Sequence, residues 1–81
     1  MSEEGDLRRR ILEFLAENGE KPSGEIIKYI REQFKVLDRE RVRYRLLMLA
    51  AEGLIERRVV TPKVIMWKIT EKGREYLKTQ Q

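Results

Sequence analysis

The chain has 81 residues, 41% of them hydrophobic and 40% charged, which is the material of one small domain with a single core. It contains neither Cys nor His, so disulfides, thiolate or imidazole metal sites, cysteine nucleophiles and His-based triads are excluded. No apolar run approaches the roughly 18 residues of a membrane span.

The first residues, Met1-Ser2-Glu3-Glu4-Gly5-Asp6, are acidic where a secretory signal is basic and then apolar, so a cytoplasmic protein is expected. Lys plus Arg number 18 against 14 Asp plus Glu, a formal charge of +4. The excess is segregated: residues 35–68 hold nine bases and four acids, a net +5, and the rest of the chain is net −1. A localised basic face points to a polyanionic partner, most often nucleic acid. Abundant Glu, Lys and Arg with a single Asn also suit a thermophile surface laced with ion pairs. Heat adaptation accounts for the total charge but not for its segregation.

Leu7, Ile11, Phe14 and Leu15 recur at helical spacing, with Asp6 as cap and Asn18-Gly19 as an αL-tolerant stop. Lys21-Pro22-Ser23 reads as a short extended link, with Ser23 as the next N-cap. Ile26, Ile27, Ile30 and Phe34 mark a second helix. About four residues separate it from a third, short enough for a helix-turn-helix corner. Asp38 caps the third helix, and Leu37 is placed to staple onto Val42. At about 100° per residue, Val42, Leu46, Leu49 and Gly53 share the inward face, and Gly53 ends the helix.

The period then changes. Residues 54–60 and 64–70 are β-branched-rich runs separated by Thr61-Pro62-Lys63, which predicts a hairpin with Pro62 in its turn. Ile65, Trp67 and Ile69 alternate with Val64, Met66 and Lys68, so the first set is expected in the core. Thr70 can cap a last helix, 71–78, that turns Tyr76 and Leu77 inward. One domain spanning 1–81 is expected, with 1–5 and 79–81 frayed. The order predicts an α+β chain, α-α-α-β-β-α.

Two strings carry a family resemblance. Val42, Leu46, Leu49, Gly53, Leu54 and Ile55 fill the pattern V-x-x-x-L-x-x-L-x-x-x-G-L-[IV]. Trp67-Lys68-Ile69-Thr70-Glu71-Lys72-Gly73-Arg74-Glu75-Tyr76-Leu77 fits an aromatic followed by [LI]-T-x-x-G-x-x-[YL]. With a hairpin between them, they closely resemble the winged helix-turn-helix transcription regulators of small archaeal, bacterial or viral type. The resemblance covers nearly the whole chain. It implies a three-helix core with a hairpin wing. The third helix, about 38–52, would lie in the major groove of double-stranded DNA, and the hairpin, about 54–70, would serve as wing.

Arg39, Arg41, Arg43 and Arg45 crowd the N-terminal half of that helix, where the macrodipole disfavours cations and a phosphate-rich groove would compensate. The alternative is that they pair with Asp38, Glu40 and Glu32. Arg43 and Tyr44 match the groove-facing family positions, with Arg39 and Glu40 at the helix entrance. Arg43, then Arg39, are the candidates for reading guanine. Arg41 and Arg45 lie on one flank as phosphate clamps. Tyr44 stacks, donates to a phosphate, or is simply a surface aromatic. Glu40 accepts from a cytosine amine or orients a neighbouring Arg. Ser23 can offer its backbone N–H to a phosphate. Arg57, Arg58 and Lys63 are the wing candidates, while Lys68 is solvated or neutralises Glu56 across the strands.

Leu47, Met48 and Ala51 depart from the family, many of whose members carry Lys or Glu there. They either pack on neighbouring elements or extend an apolar patch used for self-association. A symmetric homodimer is expected from the resemblance, with Phe14, Tyr76 and Leu77 as interface candidates. A protein-interaction module and a non-specific chromatin or RNA-binding protein are the competing readings. No catalytic group, metal, cofactor or small-molecule ligand is predicted, since no general acid–base constellation or Gly-rich phosphate loop is present.

Overall fold

The structure is a computed structural model that describes residues 3–35 and 38–79. Three helices, a hairpin and a fourth helix follow in the expected order, with one addition. They are α1 (Glu3–Asn18), β1 (Lys21–Pro22), α2 (Ser23–Gln33), α3 (Arg39–Ala51), β2 (Ile55–Thr61), β3 (Val64–Ile69) and α4 (Glu71–Thr79). The addition is β1, which pairs antiparallel with β3 through Lys21 with Trp67 and Pro22 with Met66, giving a three-stranded sheet in the order β1-β3-β2. Pro22 is tolerated because β1 is an edge strand, where its missing N–H breaks no ladder.

The core forms where the apolar stripes of the first three helices meet the inner face of the hairpin. Leu7, Ile11, Leu12 and Leu15 come from α1, Ile26, Ile27 and Ile30 from α2, and Val42, Leu46 and Leu49 from α3. Leu54, Ile55, Trp67 and Ile69 close it on the hairpin side, so Trp67 is a core residue and not part of a ligand box. Burial of each such side chain is worth about 1.5–3 kcal/mol. Leu12, outside the expected stripe, is fully buried, whereas Phe14 is half-buried and stacks on Tyr29 with ring centroids 4.4 Å apart.

Capping follows local chemistry with two exceptions. Asp38 accepts from the Arg41 N–H at 2.8 Å, and Thr70 Oγ1 accepts from the Gly73 N–H at 3.0 Å, as their sequence positions require. Gly19 and Gly53 end α1 and α3 with φ of 79° and 78°. Asp6, however, does not cap α1, which already runs from Glu3 through Gly5. Nor does Ser23 cap α2: Pro22 occupies the N-cap without a side-chain bond. The Ser23 hydroxyl instead accepts from Trp67 Nε1 at 2.7 Å and lies 3.4 Å from the Ile65 carbonyl oxygen. A buried indole N–H needs an acceptor, and this demand outranks a helix cap. The staple expected of Leu37 on Val42 lies outside the described residues.

Ser23→Ala strands that indole donor in the core. Urea unfolding is expected to show a loss of about 1–3 kcal/mol, while Ser23→Thr, which keeps the hydroxyl, loses less. Equal stability of Ser23→Ala and the parent chain would show that the bond contributes nothing.

The hairpin turns on Pro62-Lys63, with Glu56 opposite Lys68 and Arg57 opposite Trp67. The register shifts between Val59 and Thr61, the mark of a bulge that leaves Val60 outside the ladder.

Candidate nucleic-acid interface

α3 turns Val42, Leu46 and Leu49 into the core, so Glu40, Tyr44, Leu47 and Ala51 face outward, and all four are exposed. Arg39 and Arg43, one turn apart on the same flank, are exposed as well. Among the described residues neither forms an ion pair with a carboxylate, so the internal pairing with Asp38, Glu40 or Glu32 does not occur for these two. On the other flank, Arg45 stands 6.0 Å over the Tyr44 ring and its charge acts on Glu52. Arg41, also on that flank, is exposed.

Two clefts flank this helix. The first lies between α3 and the wing and is lined by Ser23, Arg43, Leu47, Arg57, Pro62, Lys63, Ile65 and Trp67. Strand alternation turns Arg57 toward α3, on the same face as Ile55, while Lys63 comes from the turn. Helix, strand and turn thus place Arg43, Arg57 and Lys63 around one apolar floor.

The second cleft lies at the corner of α2 and α3, lined by Gly24, Ile27, Lys28, Arg31, Glu32, Lys35 and Arg39. Lys28, Arg31 and Lys35 follow i, i+3, i+7 spacing, a cationic stripe readable from the sequence and absent from the sequence-based candidates. Arg39 opens onto the corner and Arg43, one turn on, onto the wing cleft, so the N-terminal half of α3 carries cations between the two clefts.

Arg58 stands apart from this band. Alternation turns it to the opposite side of β2, where Nη2 and Nε donate to the two carboxylate oxygens of Glu20 at 2.7 and 3.1 Å. That bidentate contact holds the Glu20 carboxyl below its ordinary range and raises the Arg58 pKa. Lys68 and Glu56 pair beside them at 3.4 Å, the second of the two alternatives left open for Lys68.

The far end of α3 is pinned by a separate cluster. Arg8 Nη1 and Nη2 donate to Glu52 at 2.7 and 2.8 Å, and the same guanidinium lies 5.6 Å from the centroid of Tyr76. Lys72 Nζ donates to the Glu52 carbonyl at 3.0 Å. The Arg8 bond lowers the Glu52 pKa and raises that of Arg8. α1 and α4 thereby fix the pitch of α3 against the core. Of the residues expected at a dimer surface, Phe14 stacks on Tyr29, Tyr76 faces Arg8, and Leu77 packs half-buried on the core. Ser23 borders the wing cleft with its hydroxyl already engaged.

No protein-family model and no curated protein sequence matches the chain. Solved structures do. RosR of H. salinarum, grown from NaBr, superposes with a TM-score of 0.82 at 19% identity, covering 91% of this chain and 67% of that one. The complex structures hsRosR-S1 and hsRosR-S4 give TM-scores of 0.80 and 0.81, each at 19% identity and over 90% of this chain. The chain spans 65% and 64% of those two chains, about two thirds of their length. With the element order and hairpin described above, this likeness shows a winged helix-turn-helix fold.

Proposed function

We propose that this chain binds double-stranded DNA sequence-specifically and acts as a transcription regulator inside the cell, with α3 in the major groove and the hairpin as wing. The observation that carries this reading is a cationic band in which Arg39 and Arg43, one turn apart on α3, stand between the corner cleft of Lys28, Arg31 and Lys35 and the wing cleft of Arg57 and Lys63. Its cations come from three separate elements and outnumber the one carboxylate, Glu32, that lines the two clefts with them, which is the arrangement a duplex requires. The fold likeness to RosR supports the winged helix-turn-helix architecture from which this reading starts. Two copies on an imperfect palindrome, meeting through α1 and α4 near Phe14, Tyr76 and Leu77, would place two third helices one helical turn apart. The function is binding, with no chemistry performed on the partner.

Roles follow from position. Arg43 is the direct reader, Arg39 its neighbour at the groove entrance, and Glu40 and Tyr44 share the outward face. Arg41 and Arg45 border the phosphates on the other flank, and the Ser23 N–H at the start of α2 meets a phosphate on the side of Arg43 and the wing cleft. Arg58 contributes less than Arg57 or Lys63, because Glu20 already neutralises it.

The test is selection of bound duplexes from a random pool, repeated with Arg43→Ala. A defined motif is expected from the parent chain. Arg43→Ala should relax one position of it at a cost of about 1–3 kcal/mol. Uniform weakening at every position demotes Arg43 to a phosphate contact, and recovery of no duplex at all removes the proposal.

A further inference from the structure

The large apolar side chains left exposed among the described residues are Tyr44, Leu47, Val59, Val60 and Val64, and every one lies on α3 or the hairpin. Leu47 is 45% exposed although it borders the wing cleft, where Arg43, Arg57 and Lys63 surround it. A leucine in that position gains nothing from phosphates. On the base edges of the major groove, the one apolar group is the 5-methyl of thymine.

We propose that Leu47 is a specificity-determining residue that packs on a thymine methyl next to the guanine read by Arg43. The inference rests on the major-groove reading above and assigns part of its sequence preference. Positions 43 and 47 are one helical turn apart on the same flank, about 6 Å along the axis. At about 3.4 Å per base step, that separation spans about two base pairs, so guanine and thymine belong within two positions of each other. Charge selects a duplex over an apolar protein as occupant. Arg43, Arg57 and Lys63 ring Leu47 without a described carboxylate paired to any of them, so a purely apolar partner would bury three uncompensated cations.

The experiment uses the duplex recovered by selection, with each thymine replaced singly by deoxyuridine, which removes only the methyl group. Dissociation constants are measured for the parent chain, Leu47→Ala and Leu47→Met. One thymine within two base pairs of the Arg43-dependent guanine should matter. Its replacement should weaken the parent chain about three- to fivefold, the worth of one buried methyl. Leu47→Ala should bind both duplexes equally, whereas Leu47→Met, similar in volume, should keep the preference. Leu47 is exposed, so both variants should melt with the parent chain.

Indifference of the parent chain to every replacement overturns the inference while leaving DNA binding intact. A selected site without thymine there overturns it equally. Retention of the full preference by Leu47→Ala transfers the methyl contact to another side chain and overturns the role of Leu47. If no duplex is recovered, the reading of the interface falls and this inference falls with it.

Discussion

Gly73→Ala is expected to destabilise the domain by about 3 kcal/mol, the upper end of the usual overpacking cost. A Cβ on Gly73 would fall well inside contact with the Leu54 carbonyl oxygen, 2.7 Å from Ile69 Cγ1 and 3.2 Å from the Leu54 carbonyl carbon. Those neighbours are poorly able to move. The Leu54 carbonyl accepts from the Thr70 N–H at 3.1 Å, so swinging it away breaks the bond that seats the start of α4. Ile69 is part of the core. Against this, the better helix propensity of Ala returns only about 1 kcal/mol.

The whole stability of a natural domain is about 5–15 kcal/mol, so the melting temperature should drop by more than about 10 °C. Gly24 supplies the control. It is also helical, but a Cβ there meets nothing within 4 Å, so Gly24→Ala should stabilise the chain by about 0.4–1 kcal/mol. Melting by circular dichroism decides both. If the two substitutions shift the melt in the same direction, the close approach of α4 to Leu54 is not what selects glycine at position 73.

The start of α4 also marks where the sequence was legible. Thr70 reads as a cap and its Oγ1 accepts from the Gly73 N–H within a single turn, whereas the close approach that requires glycine at position 73 comes from the distant Leu54 carbonyl. Like the Thr70 cap, Asp38, Gly53 and the Val42, Leu46 and Leu49 stripe each act over a few residues. Long-range demands left no such signature. The two-residue β1 is too short for any periodicity, and it exists because β3 offers an open edge to Lys21 and Pro22.

Ser23 has the composition of a cap, yet an indole 44 residues away claims its hydroxyl. Arg58 has the composition of a wing cation, yet Glu20, 38 residues away, claims its guanidinium. The candidate site divides in the same way. Arg39 and Arg43 lie exposed as their helical angles require. The stripe of Lys28, Arg31 and Lys35 has an equally plain period, but its meaning depends on the corner that brings α2 beside Arg39.

That division sets the second large effect, the response of DNA affinity to salt. Seven cations border the two clefts: Lys28, Arg31, Lys35, Arg39, Arg43, Arg57 and Lys63. If about six phosphates are neutralised per copy, each contributing about −0.9, log affinity should fall with log salt at a slope near −5. Between about 50 and 200 mM salt this amounts to about a thousandfold loss.

The slope also separates the cations individually, because only a charge that releases counterions from DNA contributes to it. Arg31→Gln and Lys28→Gln should each make the slope shallower by about 0.9. Arg58→Gln should leave it unchanged, because that guanidinium is held by Glu20 in the free protein. Filter binding or fluorescence anisotropy across a salt series measures all of these. A parent slope shallower than about −2 contradicts a phosphate-tracking band. A loss on Arg58→Gln as large as that on Lys63→Gln shows that the Glu20 pair opens on DNA, so that the wing presents both of its faces to the duplex.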